Sequence, residues 1–200
     1  MIKIDLLKNK GDFICFGNNE DLLRDTTVYI EKFEYSTERG TRKQSESANG
    51  LNLLKYAVND KFSENTDNLH IKKGDFGKPY FENSNICFNV SHSGDYVAVA
   101  VGKCSIGVDV QIIKSVKYGL IRKICDSTEL EYIANSDDKN RAFIRLWTLK
   151  ESYVKCIGMG LSFPMNKINF SFAEKTSNKD GFYLVKDYDD FVLALSLRGC

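Results

Sequence analysis

Two prolines and fourteen glycines are few for a chain of 200 residues, and their scarcity excludes collagen-like and proline-rich architectures. Long apolar runs are also missing. The longest, Tyr96–Val101, falls far short of the ~20 residues that a membrane helix needs. Charges recur every second or third residue through Met1-Ile2-Lys3-Ile4-Asp5-Leu6-Leu7-Lys8, so the apolar core of a signal peptide does not form there. We therefore expect a cytoplasmic protein with no membrane partner. Neither sign of charge dominates: 28 Lys and Arg face 27 Asp and Glu, for a formal charge of +1. That removes the broad basic footprint of a nucleic-acid binder, and an anionic partner has to be met by local clusters. The six cysteines (15, 87, 104, 125, 156 and 200) contain no Cys-x-x-Cys pair, and only His70 and His92 accompany them. A zinc site is not expected. We read most of the cysteines as reduced, partly buried thiols that act as small hydrophobes.

Hydrophobic residues make up 42% and charged residues 28% of the chain, an ordinary globular composition. A chain of this length buries about 70% of the surface its unfolded form exposes, so its core needs no staple. The patterning mixes helices and strands. Residues 1–7 and 13–16 read as short strands, 20–35 as a stretch holding a short helix, and Ser45–Val58 as a helix, because Leu51, Leu54, Ala57 and Val58 recur at helical spacing. Residues 59–75 look like a loop. Asn85–Val90 reads as a strand followed by a Ser-His-Ser-Gly-Asp turn, and Tyr96–Val101 and Ser105–Ile113 as two strands joined at Gly102-Lys103. Alternation places Ile106, Val108, Val110 and Ile112 on one face of the second of these and Ser105, Gly107, Asp109 and Gln111 on the other. Gly107 there suggests room for a ligand near the backbone. Ser115–Ile124 and Ser127–Ala134 read as helices. Asn140–Ile157 is the strongest helix and is stopped by Gly158-Met159-Gly160. Ile168–Phe172, Phe182–Lys186 and Phe191–Leu197 read as strands. Asp95-Tyr96-Val97-Ala98-Val99 is echoed by Asp190-Phe191-Val192-Leu193-Ala194, which suggests two related halves, 1–103 and 104–200, in one compact unit.

Four pieces carry chemistry: Gly77-Lys78-Pro79-Tyr80-Phe81, Phe88-Asn89-Val90-Ser91-His92-Ser93, Ile106-Gly107-Val108-Asp109-Val110, and Trp147-Thr148-Leu149-Lys150-Glu151-Ser152. Lys78, His92, Lys150 and Lys155 can neutralise phosphates. Asp109 and Glu151 offer the oxygen ligands that Mg²⁺ takes. Whether they meet depends on tertiary packing. The chain has neither a Gly-x-Ser-x-Gly elbow nor a Gly-x-x-x-x-Gly-Lys-Ser/Thr loop, which argues against a serine hydrolase and a P-loop nucleotidase.

In this order the pieces resemble the Sfp-type 4'-phosphopantetheinyl transferase family, most closely over residues 76–164. The resemblance implies an α+β fold of two similar halves related by a pseudo-twofold, with the active site in the cleft between them. It implies Mg²⁺-dependent transfer of phosphopantetheine from coenzyme A to a serine of an apo acyl or peptidyl carrier protein. The other product is adenosine 3',5'-bisphosphate. By the same resemblance, Asp109 and Glu151 are metal ligands, and Gln111 stands where many members carry a further carboxylate. Lys78 and Pro79 match the segment beside the adenine and 3'-phosphate, and Ser91 and His92 match residues that hold coenzyme A phosphates. Lys155 matches a lysine facing the pyrophosphate. Glu129 matches an acidic residue near the catalytic centre, and Glu151, Glu129 or a metal-bound water is the candidate to take the serine proton. Arg39, Arg42 and Lys43 lie where members contact the 3'-phosphate. We expect a monomer. The alternative is a coenzyme A-binding relative that has lost turnover, with Gln111 as the symptom. Finally, Lys114, Lys117, Arg122 and Lys123, interleaved with Tyr118, Leu120 and Ile121, suggest a basic, partly apolar surface for an acidic carrier.

Overall fold

The computed structural model describes residues 1–9, 14–17, 20–34, 41–160, 163–170 and 181–199. In chain order its elements are β1 (Ile2–Asp5), α1 (Leu6–Asn9), β2 (Ile14–Gly17), β3 (Thr27–Lys32), α2 (Thr41–Phe62), β4 (Ile71–Lys73), β5 (Pro79–Phe81), β6 (Cys87–Ser93), β7 (Tyr96–Gly102), β8 (Ser105–Ile112), α3 (Tyr118–Ile124), α4 (Ser127–Ala134), α5 (Lys139–Ile157), β9 (Gly181–Asp187) and β10 (Phe191–Arg198). They build two four-stranded antiparallel sheets, β1-β3-β7-β6 and β2-β9-β10-β8, and a small β4-β5 ribbon.

The sequence of β7 explains the layering. Ala98 and Ala100 join Val28 and Ile30 in a core shared with Ile106, Val108, Val110, Leu193 and Leu195 of the second sheet. The alternate residues Val97, Val99 and Val101 pack instead on Leu53, Leu54, Ala57 and Val58 of α2. In β10, Val192 and Ala194 turn the other way, into a core with Phe143, Leu146 and Leu149 of α5. The order of layers is therefore α2, first sheet, second sheet, α5. A strand buried on both faces reads as a continuous apolar run, which is why β7 and β10 stood out in the sequence.

Each half runs strand, helix, strand, strand: β3-α2-β6-β7 and β8-α5-β9-β10, with α3 and α4 added before α5. In each, the last strand lies between the other two, in the orders β3-β7-β6 and β8-β10-β9. The echoed segments are those two central strands. Residues 1–103 do not form a separate half, however, because β2 pairs with β9 of the second sheet.

Several expectations are corrected. Residues 20–35 hold a short 3₁₀ turn, Glu20–Leu23, and then β3. Val28, Tyr29 and Ile30 are all buried there, so no alternation advertised a strand. Residues 59–75 contain the end of α2 and β4. Ser91-His92-Ser93 belongs to β6, and the turn is Gly94-Asp95 alone, with Gly94 at a φ of 58°. Residues 168–170 are not a strand, and 171–172 lie outside the described residues. The end of α5 is as read: Gly158 caps it at a φ of 75°. No helix among the described residues is long and apolar enough to cross a membrane.

Gly107 does not leave room for a ligand. A Cβ there would lie 1.9 Å from the Ser152 carbonyl oxygen and 2.3 Å from the Cys156 nitrogen, both in α5. The missing side chain lets the helix backbone press onto β8 and brings its carboxylate down beside Asp109. Backbone atoms cannot swing aside, so Gly107→Ala should destabilise the fold by about 3 kcal/mol, the upper end of ordinary overpacking costs. Urea unfolding would measure this, and an unchanged midpoint would contradict the packing described.

Candidate active site

The two sheets meet along β6 and β8 without a backbone ladder. Asn89, Ser91 and Ser93 of β6 point at the free edge of β8, where their side-chain oxygens accept from the backbone N–H groups of Val108 (2.9 Å), Val110 (3.2 Å) and Ile112 (3.1 Å). Lysines take carbonyls on the same edge. Lys78 donates to Ile106 O (2.9 Å) and Lys155 to Val108 O (3.2 Å). This seam satisfies backbone groups that would otherwise be buried unpaired.

Asp109 sits on the seam, on the β8 face turned to α5, and is almost wholly buried. Its Oδ1 accepts from Ser91 Oγ (2.7 Å) and Lys155 Nζ (2.6 Å), and its Oδ2 from Gln111 Nε2 (3.0 Å). Lys155 also reaches Ser91 Oγ at 2.9 Å. One turn back along α5, Glu151 is only 8% exposed, and its Oε1 is buried with no hydrogen-bond partner. Burial, first, and the neighbouring Asp109 charge push the Glu151 carboxyl up to about 7, against a smaller opposing effect of Lys155. Two adjacent carboxylates, one with an orphaned oxygen, form a donor set that suits a hard divalent cation. Among the described residues no group of three or more His, Cys, Asp or Glu gathers in this way. Phosphate oxygens and water would complete the shell. The amide oxygen of Gln111 accepts from Ser93 Oγ at 3.3 Å, so the amide would have to turn over to present it beside Asp109.

Next to Lys155 a pocket of about 230 Å³ is lined by Phe76, Lys78, Pro79, Val90 and Val154, with Gly158 at its rim. Lys78 spans its wall, bonding Ile106 O and, at 2.7 Å, Cys156 O at the end of α5. His92 points to the opposite face of β6 from Ser91. Its Nδ1 lies 3.8 Å from Glu46 Oε2 on α2. Glu46 in turn accepts from Arg42 Nε at 3.0 Å, and Arg42 also donates to Gly94 O at 2.5 Å. Lys43 is exposed in the same turn of α2, and Arg39 lies outside the described residues.

Comparison with known proteins matches two stretches of the chain. Residues 105–194 match the 4'-phosphopantetheinyl transferase superfamily, and residues 25–104 match the family of 4'-phosphopantetheinyl transferase N-terminal domains. The chain belongs to the 4'-phosphopantetheinyl transferase superfamily. Among its relatives, 4'-phosphopantetheinyl transferase ffp of Bacillus subtilis is 29% identical over 125 residues, 61% of this chain and 56% of the relative. Gsp of Aneurinibacillus migulanus is 31% identical over 102 residues, 50% and 43%. Sfp of Bacillus subtilis is 26% identical over 120 residues, 58% and 54%. The chain thus spans about half the length of these relatives.

Two site expectations for this 4'-phosphopantetheinyl transferase superfamily member are corrected. Glu129 and Lys150 do not join the Asp109–Glu151 cluster. They pair with each other at 2.5 Å, both at 0% side-chain exposure. Lys150 also donates to Ile124 O and Met165 O, which uses all three ammonium donors. Glu129 accepts from Asp126 N and Phe170 N. Neither has a free surface for a phosphate or a substrate proton. The run Asp126-Ser127-Thr128-Glu129 is a capping box, with Asp126 accepting from Thr128 N and Glu129 N, and that spacing was a readable sign of a structural glutamate. The reverse oversight concerns Asn89 and Ser93. Reading Ser-His-Ser as a turn hid the period of two that aims Asn89, Ser91 and Ser93 at one neighbour. For two of the cysteines the reading is supported by burial, which pushes the Cys125 thiol up to about 12 and the Cys156 thiol up to about 11, far from a reactive thiolate; Cys200 and the side chain of Cys15 lie outside the described residues.

Proposed function

We propose that this chain transfers the 4'-phosphopantetheine group of coenzyme A to a serine of an apo acyl or peptidyl carrier protein, releasing adenosine 3',5'-bisphosphate, and that it does so as a cytoplasmic monomer. The observation that carries the reading is the meeting of Asp109 and Glu151 with Lys155 where the two sheets join. Asp109 and Glu151 would hold Mg²⁺, with Gln111 as a further oxygen if its amide turns over. The bound cation would offset charge on the pyrophosphate and orient it for attack. Lys155 would face the same phosphates, and Lys78 and Pro79 would flank the nucleotide in the adjoining pocket. His92, Arg42 and Lys43 would meet the outlying phosphate. The serine oxygen forms a bond to the phosphorus next to pantetheine as the bond to the departing nucleotide phosphate breaks. Of the two carboxylates considered for the serine proton, only Glu151 stands beside Asp109. The chemistry is positioning plus electrostatic stabilisation. Mass spectrometry of an apo carrier incubated with the chain, coenzyme A and Mg²⁺ tests it. A gain of one phosphopantetheine on the serine is expected, and an unmodified carrier would overturn the reading.

The carrier surface follows from the same site. A cavity of about 320 Å³ is lined by Gln111, Lys114, Lys117, Leu120, Phe143 and Trp147. Tyr118 is 67% exposed beside it, and Arg122 and Lys123 lie exposed in the last turn of α3. Ile121 is buried and belongs to the core instead. Basic side chains around apolar ones suit the acidic recognition helix expected of a carrier. Arg122→Glu combined with Lys123→Glu should raise the carrier KM about tenfold, the low end of electrostatic steering, and flatten its salt dependence. The coenzyme A KM should stay put. Two unchanged KM values would place the carrier elsewhere.

A further inference from the structure

We propose that the cavity between α2 and the β4–β5 ribbon is a second ligand site, one that takes an α-amino acid with a large apolar side chain. The inference does not depend on the transferase reading. The cavity measures about 330 Å³, within the range of small-ligand pockets. Leu54, Leu69 and Phe81 line it, with Leu51 and Ile71 beside them. Leu54 and Phe81 are buried in the core under α2. Leu51 and Ile71 are 43% and 45% exposed. Folding thus leaves two aliphatic side chains in water next to an apolar hollow. None of these residues lines the cavity beside Lys155.

The polar part of the lining decides the ligand. It consists of Lys55 on α2 and of Thr66 and Asp67 in the turn that follows the helix. Lys55 Nζ lies 3.4 Å from Asp67 Oδ1, and the two side chains are 47% and 72% exposed. Among the described residues neither side chain has another bonded partner. The ammonium therefore keeps two N–H donors, and the carboxylate keeps most of its lone pairs. A ligand carrying only a carboxylate would be drawn to Lys55 and repelled by Asp67, and one carrying only an ammonium would meet the reverse. A zwitterion satisfies both, with its carboxylate at Lys55 and its ammonium at Asp67. An α-amino acid bears those two groups on one carbon, and its side chain then enters the apolar hollow.

The wall that carries Asp67 is fixed before any ligand arrives. Asn65 caps the turn Thr66–Asn68, its side chain accepting from Asp67 N at 2.9 Å. Asn83, just beyond β5, donates to Asn68 O at 2.7 Å and accepts from His70 N at 3.0 Å. Turn and ribbon are thereby tied together, so the two charges face each other from a helix and a capped turn. Preorganisation of this kind lowers the ordering cost of binding. The charge contacts are exposed and few, so the dissociation constant expected for phenylalanine is on the order of 1 mM.

The test is a titration of the full chain, followed by nuclear magnetic resonance, with L-phenylalanine, 3-phenylpropionate, 2-phenylethylamine and L-alanine. Phenylalanine should give saturable shifts at Leu54, Leu69 and Phe81. The acid and the amine, each short of one charge, should bind about 5-fold more weakly. Alanine, short of the ring, should bind about 10- to 100-fold more weakly. Lys55→Met should erase the preference for phenylalanine over the amine, and Asp67→Asn the preference over the acid. Both side chains are exposed, so the two variants should unfold in urea close to wild type. No saturable shift at tens of millimolar phenylalanine would overturn the proposal. So would an acid or an amine that binds as tightly as phenylalanine, since the hollow would then recognise no charge pair. Shifts confined to the residues around Asp109 and Lys155 would place the ligand in the other cavity and overturn it too, as would unchanged preferences in both folded variants. Carrier modification plays no part in the measurement, so the transferase reading stands or falls separately.

Discussion

Asp109→Asn and Glu151→Gln should each cut carrier modification by at least about 10²- to 10³-fold, the loss seen when one member of a preorganised electrostatic site is removed. Both changes keep side-chain shape, so the loss is one of charge. Glu151→Gln should at the same time stabilise the metal-free fold at neutral and alkaline pH. The sign follows from the raised carboxyl: about 7 in the folded chain against an ordinary value of 4.5. Below 4.5 the glutamate is protonated in both folded and unfolded chains, and the variant gains nothing. Between 4.5 and 7 the unfolded chain ionises while the folded one resists, so wild-type stability falls with rising pH. Above 7 the difference is constant. Urea unfolding of both proteins across this range would show a gap that opens with pH and then levels off. A variant that turned over normally at saturating Mg²⁺ would remove Glu151 from the metal, and a gap of constant size would mean that burial and the Asp109 charge do not raise the Glu151 carboxyl.

Lys150→Met should destabilise the chain by about 3–5 kcal/mol, because it strands the fully buried Glu129 without its cation. For a chain of this size that is on the order of 10 °C in Tm. Glu129→Leu alone should be similarly costly, since it strands the ammonium. Pairing the two substitutions should cost clearly less than the sum of the single losses, because no unpaired charge remains. The Asp126 and Phe170 N–H groups that Glu129 also satisfies keep the double variant below wild type. A Lys150→Met chain that kept its stability but needed more coenzyme A would restore Lys150 to the phosphates.

These two variants divide one helix into two jobs. Lys150 and Glu151 are adjacent in α5 yet point to different places. Lys150 anchors α5 to the end of α3, to the start of α4 and to the segment after α5. Glu151 is thereby presented to Asp109. The pair Lys-Glu looked alike in sequence, as a phosphate contact beside a metal ligand, because a motif records neighbours along the chain and not directions around a helix axis.

Local signals carried much of this protein. The doubly apolar runs of β7 and β10, the alternation in β8 and the glycine stop after α5 follow from short-range sterics and from burial of whole faces, so the segments themselves displayed them. The order of the four motif pieces was enough to suggest the family and to single out Asp109, Glu151 and Lys155. The strand β3 stayed hidden, since its apolar run is only Val28-Tyr29-Ile30 between Thr27 and Glu31, too short to read as the continuous run of a doubly buried strand and without the alternation of a half-buried one. Other features had no local trace, because they arise where distant segments close on each other. Gly107 serves the approach of α5, 45 or more residues later in the chain. Glu129 finds its cation 21 residues away, and Ser91 meets an aspartate 18 residues on and a lysine 64 residues on. A residue's type limits which bonds it can make; which of them it makes depends on the desolvated partners that packing brings within about 3 Å.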